Sequence, residues 1–68
     1  MAPLGQQIRT LRMAHRGIGM TQAELAQRAE LSWIFIAKVE AGHREPSMAS
    51  LRRIARVLGV KVRIELVK

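Results

Sequence analysis

The sequence of 68 residues predicts an all-α bundle of four or five short helices, followed by one C-terminal β-strand. Apolar residues recur at helical spacing in four segments, three of which begin with a hydroxyl residue suited to N-capping. After Gly59 the apolar residues instead alternate with charged ones, which is the period of a strand. We therefore divide the chain into a helical domain, residues 1–59, and a strand, residues 60–68.

The first helix is expected over residues 4–14. Its apolar residues lie three or four positions apart and place one stripe toward the core; they are Leu4, Ile8 and Leu11. Residues 16–19, Arg-Gly-Ile-Gly, form the turn that follows, because glycines interrupt the helical pattern.

Residues 21–42 contain two short helices around a tight turn. Thr21 and Glu24 form a capping box, in which each side chain accepts the backbone N–H of the other residue. The inward stripe of this helix consists of Leu25, Ala26 and Ala29. Ser32 is the expected N-cap of the next helix, which ends where Gly42 can adopt a left-handed conformation. This is a helix-turn-helix motif, and two helices this short need flanking helices to bury their apolar faces.

The fourth helix is expected to begin after Pro46, with Ser47 as its N-cap, and to end at Gly59. Its apolar face consists of Leu51, Ile54 and Leu58, and its opposite face of Arg52, Arg53 and Arg56. These arginines either form a solvated face or bind an acidic protein or nucleic acid.

The C-terminal residues alternate in polarity. The apolar positions are Val60, Val62, Ile64 and Leu66, and the charged ones are Lys61, Arg63 and Glu65. A single strand has no partner within the chain for its backbone N–H and C=O groups. The simplest arrangement is a two-fold dimer in which the two tails pair antiparallel and bury their apolar faces over both helical domains. The alternative is a tail that is frayed or helical.

Composition narrows the class of function. The formal net charge of +7 indicates a polyanionic partner, with nucleic acid ahead of a membrane surface or an acidic protein. The chain has no cysteine, and His15 and His43 have no carboxylate at ligand spacing, so we expect no metal site. No residues suit catalysis and the chain is too short to enclose a pocket, so we expect neither an enzyme nor a cofactor. Without a membrane-spanning run or a secretory signal, we expect a soluble, cytoplasmic protein that does not bind membranes.

The helical domain resembles the Cro and phage-repressor (XRE-type) family. The matching segments are T-Q-A-E-L-A at residues 21–26, L-S-x-x-x-I-A-K-V-E-A-G at residues 31–42, and R-E-P-S at residues 44–47. The resemblance implies a bundle of four or five helices that docks on double-stranded DNA as a dimer, with the second helix of the motif in the major groove. The tail resembles that of antitoxins of the HipB and HigA types.

The resemblance places the base-reading residues on the third helix. Ile36 and Val39 mark its buried stripe. The residues on the opposite side, at about 100° per residue, are Ile34, Lys38 and Ala41, with Trp33 and Ala37 beside them. The predicted base-reading set is Trp33, Ile34, Ala37 and Lys38. Lys38 can donate to guanine or to a phosphate, and the small alanines let the helix approach the groove floor.

Trp33 and Ile34 depart from the family, which commonly has polar residues such as glutamine, serine or threonine at these positions. Two large apolar side chains on the surface of a small domain require an explanation. They contact thymine methyl groups, pack against a protein partner, or pack onto Gln22 and the second helix.

The resemblance also implies contacts with the phosphate backbone. Gln22 begins the second helix, and Arg44 precedes the fourth, where it is either a phosphate contact or a loop arginine in water. The predicted phosphate-binding set is Thr21, Gln22, Ser32, Arg44 and Ser47. In the family, an arginine and a glutamate at the positions of Arg12 and Glu40 form a partly buried ion pair, which we expect here.

Two functions follow from these features. The first is a sequence-specific transcriptional regulator, a repressor or autoregulator that binds a palindromic operator as a homodimer. The second is an antitoxin that neutralises a cognate toxin by direct protein binding and autoregulates its operon. Both include DNA binding, so a toxin partner distinguishes them.

Overall fold

The computed structural model describes residues 3–64 and folds them into a bundle of four α-helices. The helices are α1 (Leu4–Met13), α2 (Gln22–Ala29), α3 (Trp33–Glu40) and α4 (Met48–Leu58), with a 3₁₀ turn at His15–Gly17. Helix α3 packs against α1 and α2, and α2 also packs against α4. The predicted helical bundle is confirmed. None of the described helices is long and apolar enough to cross a lipid bilayer.

The three predicted N-caps are present. The Thr21 hydroxyl accepts the Glu24 N–H at 3.0 Å, and the Glu24 carboxylate accepts the Thr21 N–H at 3.1 Å, which completes the capping box of α2. Ser32 and Ser47 each accept the N–H three residues on, at 3.0 and 3.1 Å. These bonds satisfy donors that the first turn of a helix otherwise leaves unpaired. They therefore define where α2, α3 and α4 begin.

The core lies between the four helices. Its buried members are Ile8, Met20, Leu25, Ala26, Ala29, Ile36, Val39, Ile54 and Leu58. The predicted inward stripe of α1 is correct only at Ile8, because Leu4 and Leu11 are each 39% exposed. Both border a groove between α1 and α4 that the described residues leave partly open.

Gly5 lies in α1 where this helix meets the C-terminal end of α3. A Cβ atom at Gly5 would overlap the carbonyl oxygen of Val39 and lie 2.8 Å from that of Glu40. The absence of a side chain at Gly5 therefore lets the two helix backbones approach closely. The only sequence signal for this contact is a glycine inside a helical pattern.

Gly5→Ala is expected to lower the free energy of unfolding by about 1–3 kcal/mol, because its methyl group must push α1 away from α3. Urea denaturation followed by circular dichroism measures the change. Gln6→Ala, at an exposed position of the same helix, is the control and should change stability by less than about 0.5 kcal/mol. Alanine is the better helix former by about 1 kcal/mol, so a Gly5→Ala variant more stable than the original chain would contradict the close approach.

Residues 60–64 follow α4 without regular secondary structure. The Val60 N–H donates to the Ala55 carbonyl at 3.0 Å, with Gly59 in the left-handed conformation at a φ of 73°, and this ends α4. Residues 60–63 then line the groove between α1 and α4. The predicted strand is not present within residues 60–64, and the described residues contain no second strand with which one could pair. Leu66, the last residue of the predicted dimerisation set, lies outside the described residues.

Candidate nucleic-acid interface

Helix α3 buries one face and exposes the other. Ile36 and Val39 are 0% and 2% exposed, whereas Trp33 and Ile34 are 60% and 66% exposed. The residues that line a shallow depression on the exposed face are Trp33, Ile34, Ala37, Lys38, Ala41 and His43. The structure thus brings the predicted base-reading residues together on one surface. The structure also places His43, which follows α3, on this surface, and this position was not predicted from the sequence.

A chain of hydrogen bonds connects this exposed face to the interior of the bundle. The Trp33 indole N–H donates to the Gln22 amide oxygen at 3.2 Å, and the Gln22 amide nitrogen donates to Glu40 Oε1 at 3.1 Å. Glu40 in turn accepts two bonds from Arg12, whose remaining terminal nitrogen donates to the Met20 carbonyl at 2.7 Å. These hydrogen bonds fix both ends of α3 to α1 and α2. Three alternative contacts were considered for Trp33: thymine methyl groups, a protein partner, or Gln22 and the second helix. The structure contains the contact with Gln22, although the indole ring remains largely in solvent.

The predicted ion pair between Arg12 and Glu40 is formed. The Arg12 Nε and Nη2 atoms donate to the two carboxylate oxygens at 2.7 and 2.9 Å. Their side chains are only 11% and 4% exposed. Burial would raise the pKa of Glu40, but the hydrogen bonds from Arg12 and Gln22 and the charges of Arg12 and Arg9 outweigh it. The pKa of Glu40 is therefore below its ordinary value of 4.5.

The lowered pKa of Glu40 predicts acid sensitivity. The stability that the ionised Glu40 contributes is complete above the unfolded-state value of 4.5 and is lost as the pH falls through the lower folded-state pKa. We expect the urea midpoint to fall between about pH 5 and about pH 3, and to fall less steeply in Glu40→Gln.

The variant for comparison is Glu24→Gln. The pKa of Glu24 is also lowered, chiefly by its backbone hydrogen bond with Thr21, but Glu24 is exposed at the helix surface, so its replacement should reduce the acid dependence less than Glu40→Gln does. If Glu40→Gln keeps the full acid dependence of the original chain, the ionisation of Glu40 does not account for that dependence.

The predicted phosphate-binding residues lie at the starts of helices and in the loop before α4. The Thr21, Ser32 and Ser47 hydroxyls accept backbone N–H groups as N-caps, and the Ser47 hydroxyl also bonds to that of Ser50 at 3.1 Å. The Arg44 guanidinium lies over the Phe35 ring, 5.5 Å from its centroid, while the residue remains exposed. This cation–π contact holds the loop arginine against α3. It was not foreseen from the sequence, since it depends on how the loop folds back.

The arginines of α4 are exposed. The two ion pairs described within residues 3–64, Arg12 with Glu40 and Arg28 with Glu24, do not involve Arg52, Arg53 or Arg56.

The helices α2 and α3 are short and each begins with an N-cap. One face of α3 is buried against the bundle and the opposite face is exposed. This arrangement defines a helix-turn-helix domain of the DNA-binding type. The helix-turn-helix family model matches residues 8–64, and the chain belongs to this family, the Cro and phage-repressor type. The resemblance inferred from the sequence is thus confirmed at the level of the family.

Two relatives are similar to the chain. An "Immunity repressor protein" of Bacillus phage phi105 is 34% identical over 59 residues, which cover 87% of this chain and 39% of the repressor. An "Uncharacterized HTH-type transcriptional regulator" of Methanothermobacter thermautotrophicus is 43% identical over 53 residues, which cover 76% of this chain and 77% of that protein. The chain therefore spans well under half the length of the phage repressor. No solved structure matches the chain.

Proposed function

We propose that this chain is a transcriptional repressor that binds a palindromic DNA operator in the cytoplasm as a homodimer. The observation that most supports the proposal is α3, whose exposed face is free while its buried face and both ends are fixed to the bundle. The family, the net charge of +7 and the two relatives named as a repressor and a transcriptional regulator support the same function.

In this proposal α3 enters the major groove with Trp33, Ile34, Ala37 and Lys38 against the base edges. Lys38 donates to guanine O6 and N7 or to a phosphate. Ala37 and Ala41 keep the helix surface low, so that its axis approaches the groove floor. Fixing α3 before binding removes the cost of ordering it on DNA.

Phosphates on either side of the groove are contacted from the starts of helices. Gln22 begins α2 and Ser47 caps α4, where backbone N–H groups and the helix dipole favour an anion. Arg44 adds a full positive charge beside α4. These contacts set the orientation of α3 on the duplex without reading its sequence.

The dimer is proposed to form through the tail and the adjoining groove. Four apolar residues of α1 and the tail are exposed: Leu4 and Leu11 at 39% each, Val60 at 37% and Ile64 at 65%. Together they form an apolar surface that extends along α1 and the tail. In the proposed dimer residues 60–64, which are not a strand in the single chain, become one by pairing antiparallel with the other tail through Val60, Val62 and Ile64. Two copies related by a two-fold axis would cover both surfaces at once.

Truncation after Gly59 is expected to convert the dimer into a monomer, because it removes the proposed pairing segment. Sedimentation equilibrium measures the mass of the particle. Operator affinity should fall about a hundredfold or more, since two half-sites are no longer engaged together. A truncated chain that stays dimeric would place the interface on the helices.

Selection from a pool of random duplexes with the purified chain tests the function. The expected result is a palindrome whose half-site centres lie about 34 Å apart, one turn of DNA. Binding without sequence preference would overturn the repressor proposal.

The exposed arginine stripe of α4 supports a second candidate, an antitoxin that binds an acidic toxin and regulates its own operon. Co-expression with the neighbouring reading frames tests it. A second chain should co-purify with the original protein, and Arg52→Glu combined with Arg56→Glu should release it. If no second chain co-purifies, this candidate is rejected.

A further inference from the structure

The exposed face of α3 has few groups able to form hydrogen bonds with bases. Among its described residues, Ile34, Ala37 and Ala41 have no polar side-chain atom. The only polar side-chain atom of Trp33, the indole nitrogen, already donates to Gln22 at 3.2 Å. On the helix itself this leaves Lys38 as the side chain that can donate to a base.

Turning the Trp33 indole toward a base would break the hydrogen-bond chain. The Gln22 oxygen would lose its donor, and Gln22 is the residue that connects Trp33 to Glu40. An unpaired polar group in a closed interface costs free energy, so the bond to Gln22 is expected to persist on DNA. Trp33 then offers the base edges an apolar ring surface.

In the major groove the apolar feature of a base edge is the methyl group at C5 of a pyrimidine. Resting on the proposed function, we propose that α3 recognises its operator through C5-methyl groups, which Trp33 and Ile34 cover. Thymine has this group, and 5-methylcytosine presents the same group at the same position. Hydrogen bonds from Lys38 then supplement methyl recognition at a neighbouring base pair.

The surroundings of the face favour DNA over a protein as its occupant. The chain has a net charge of +7, Lys38 lies within the face, and Arg44 is held beside α3 by its contact with Phe35. A protein covering Trp33 and Ile34 would also have to cover Lys38. The phosphates that flank a major groove instead complement these cations.

The experiment uses the full chain and the duplex preferred in selection from ordinary DNA. Each thymine is replaced in turn by uracil, which removes only the methyl group. In a second arm, each contacted T·A pair is replaced by C·G or by 5-methylcytosine paired with guanine. Covering one methyl group should change affinity about three- to fivefold, and symmetric replacement in both half-sites about tenfold or more.

Ile34→Ala links the effect to the proposed face, because it should abolish most of the difference between thymine and uracil at the base pair that Ile34 covers. Ile18→Ala is the matched control: Ile18 is 90% exposed, lies outside α3, and undergoes the same chemical change. That variant should keep the full difference. Circular dichroism confirms that both variants fold.

The outcomes separate this inference from the proposed function. Loss with uracil alone identifies thymine as the source of the methyl group, and a matching gain with 5-methylcytosine over cytosine shows that either source is accepted. If a preferred duplex exists but neither arm changes its affinity, methyl recognition is wrong and the repressor function stands. If Ile34→Ala keeps the difference between thymine and uracil, Ile34 is not the residue that covers the methyl group.

Discussion

Arg12→Ala is expected to lower the free energy of unfolding by about 3–5 kcal/mol, the largest effect of any single substitution considered. The change leaves the Glu40 carboxylate, 4% exposed, without the guanidinium that donates two hydrogen bonds to it. It also removes the donor to the Met20 carbonyl. A core in a chain of 68 residues supplies only about 3–5 kcal/mol, so the variant should be largely unfolded at room temperature.

Thermal and urea unfolding, followed through circular dichroism and the emission of the single tryptophan, measure this loss. Arg28→Ala is the matched control. It removes an arginine from an exposed pair with Glu24 at 3.9 Å, with side chains 56% and 50% exposed, and should change stability by less than about 1 kcal/mol. Equal losses in the two variants would contradict the structural role of the partly buried pair of Arg12 and Glu40.

The double replacement Arg12→Met with Glu40→Met separates two contributions to stability. One is the cost of leaving a single charge without its partner, and the other is the net stability that the ion pair contributes. An apolar pair needs no desolvated charge, so it should be more stable than Arg12→Met alone. If the double variant is instead the less stable one, Glu40 contributes mainly through its bond to Gln22.

Raising the salt concentration from about 50 to about 200 mM is expected to weaken operator binding about a thousandfold or more, for six to ten phosphate contacts per dimer. The reason is the release of counterions from DNA by the basic chain, whose net charge is +7. Fluorescence anisotropy with a labelled duplex measures affinity at several salt concentrations.

Individual phosphate contacts can be assigned from the slope of the logarithm of the binding constant against the logarithm of the salt concentration. Arg44→Ala should reduce the slope by about 1 for each half-site if Arg44 contacts a phosphate. Arg28→Ala is the control, because Arg28 lies in the last turn of α2, at the end opposite the proposed phosphate contact of Gln22. A slope near zero for the original chain would contradict an interface dominated by phosphates.

The N-caps and the helices were predictable because their signals are local. The bond between Thr21 and Glu24 joins residues three positions apart, and so do the bonds that begin α3 and α4. The buried stripe of α3 could be derived in the same way, since Ile36 and Val39 lie within one turn. Such patterns depend on helix geometry alone.

The role of Trp33 could not be decided in this way. Its contact with Gln22 was one of three alternatives, and a choice among them required the distance between the start of α2 and the start of α3. Likewise, Arg12 and Glu40 are 28 positions apart, so their pairing could be expected only from a family resemblance.

The helical bundle, the helix-turn-helix motif, the family and the basic charge could all be predicted from the sequence, because neighbouring residues carry these signals. The packing of the helices could not be predicted: it includes the contact of Gly5 with the end of α3, the half-exposed positions of Leu4 and Leu11, and the bridge from Trp33 through Gln22 to Glu40. These features depend on the spacing between separate segments. Local periodicity constrains the face that each helix buries, but it does not determine the distance or the rotation at which two helices pack.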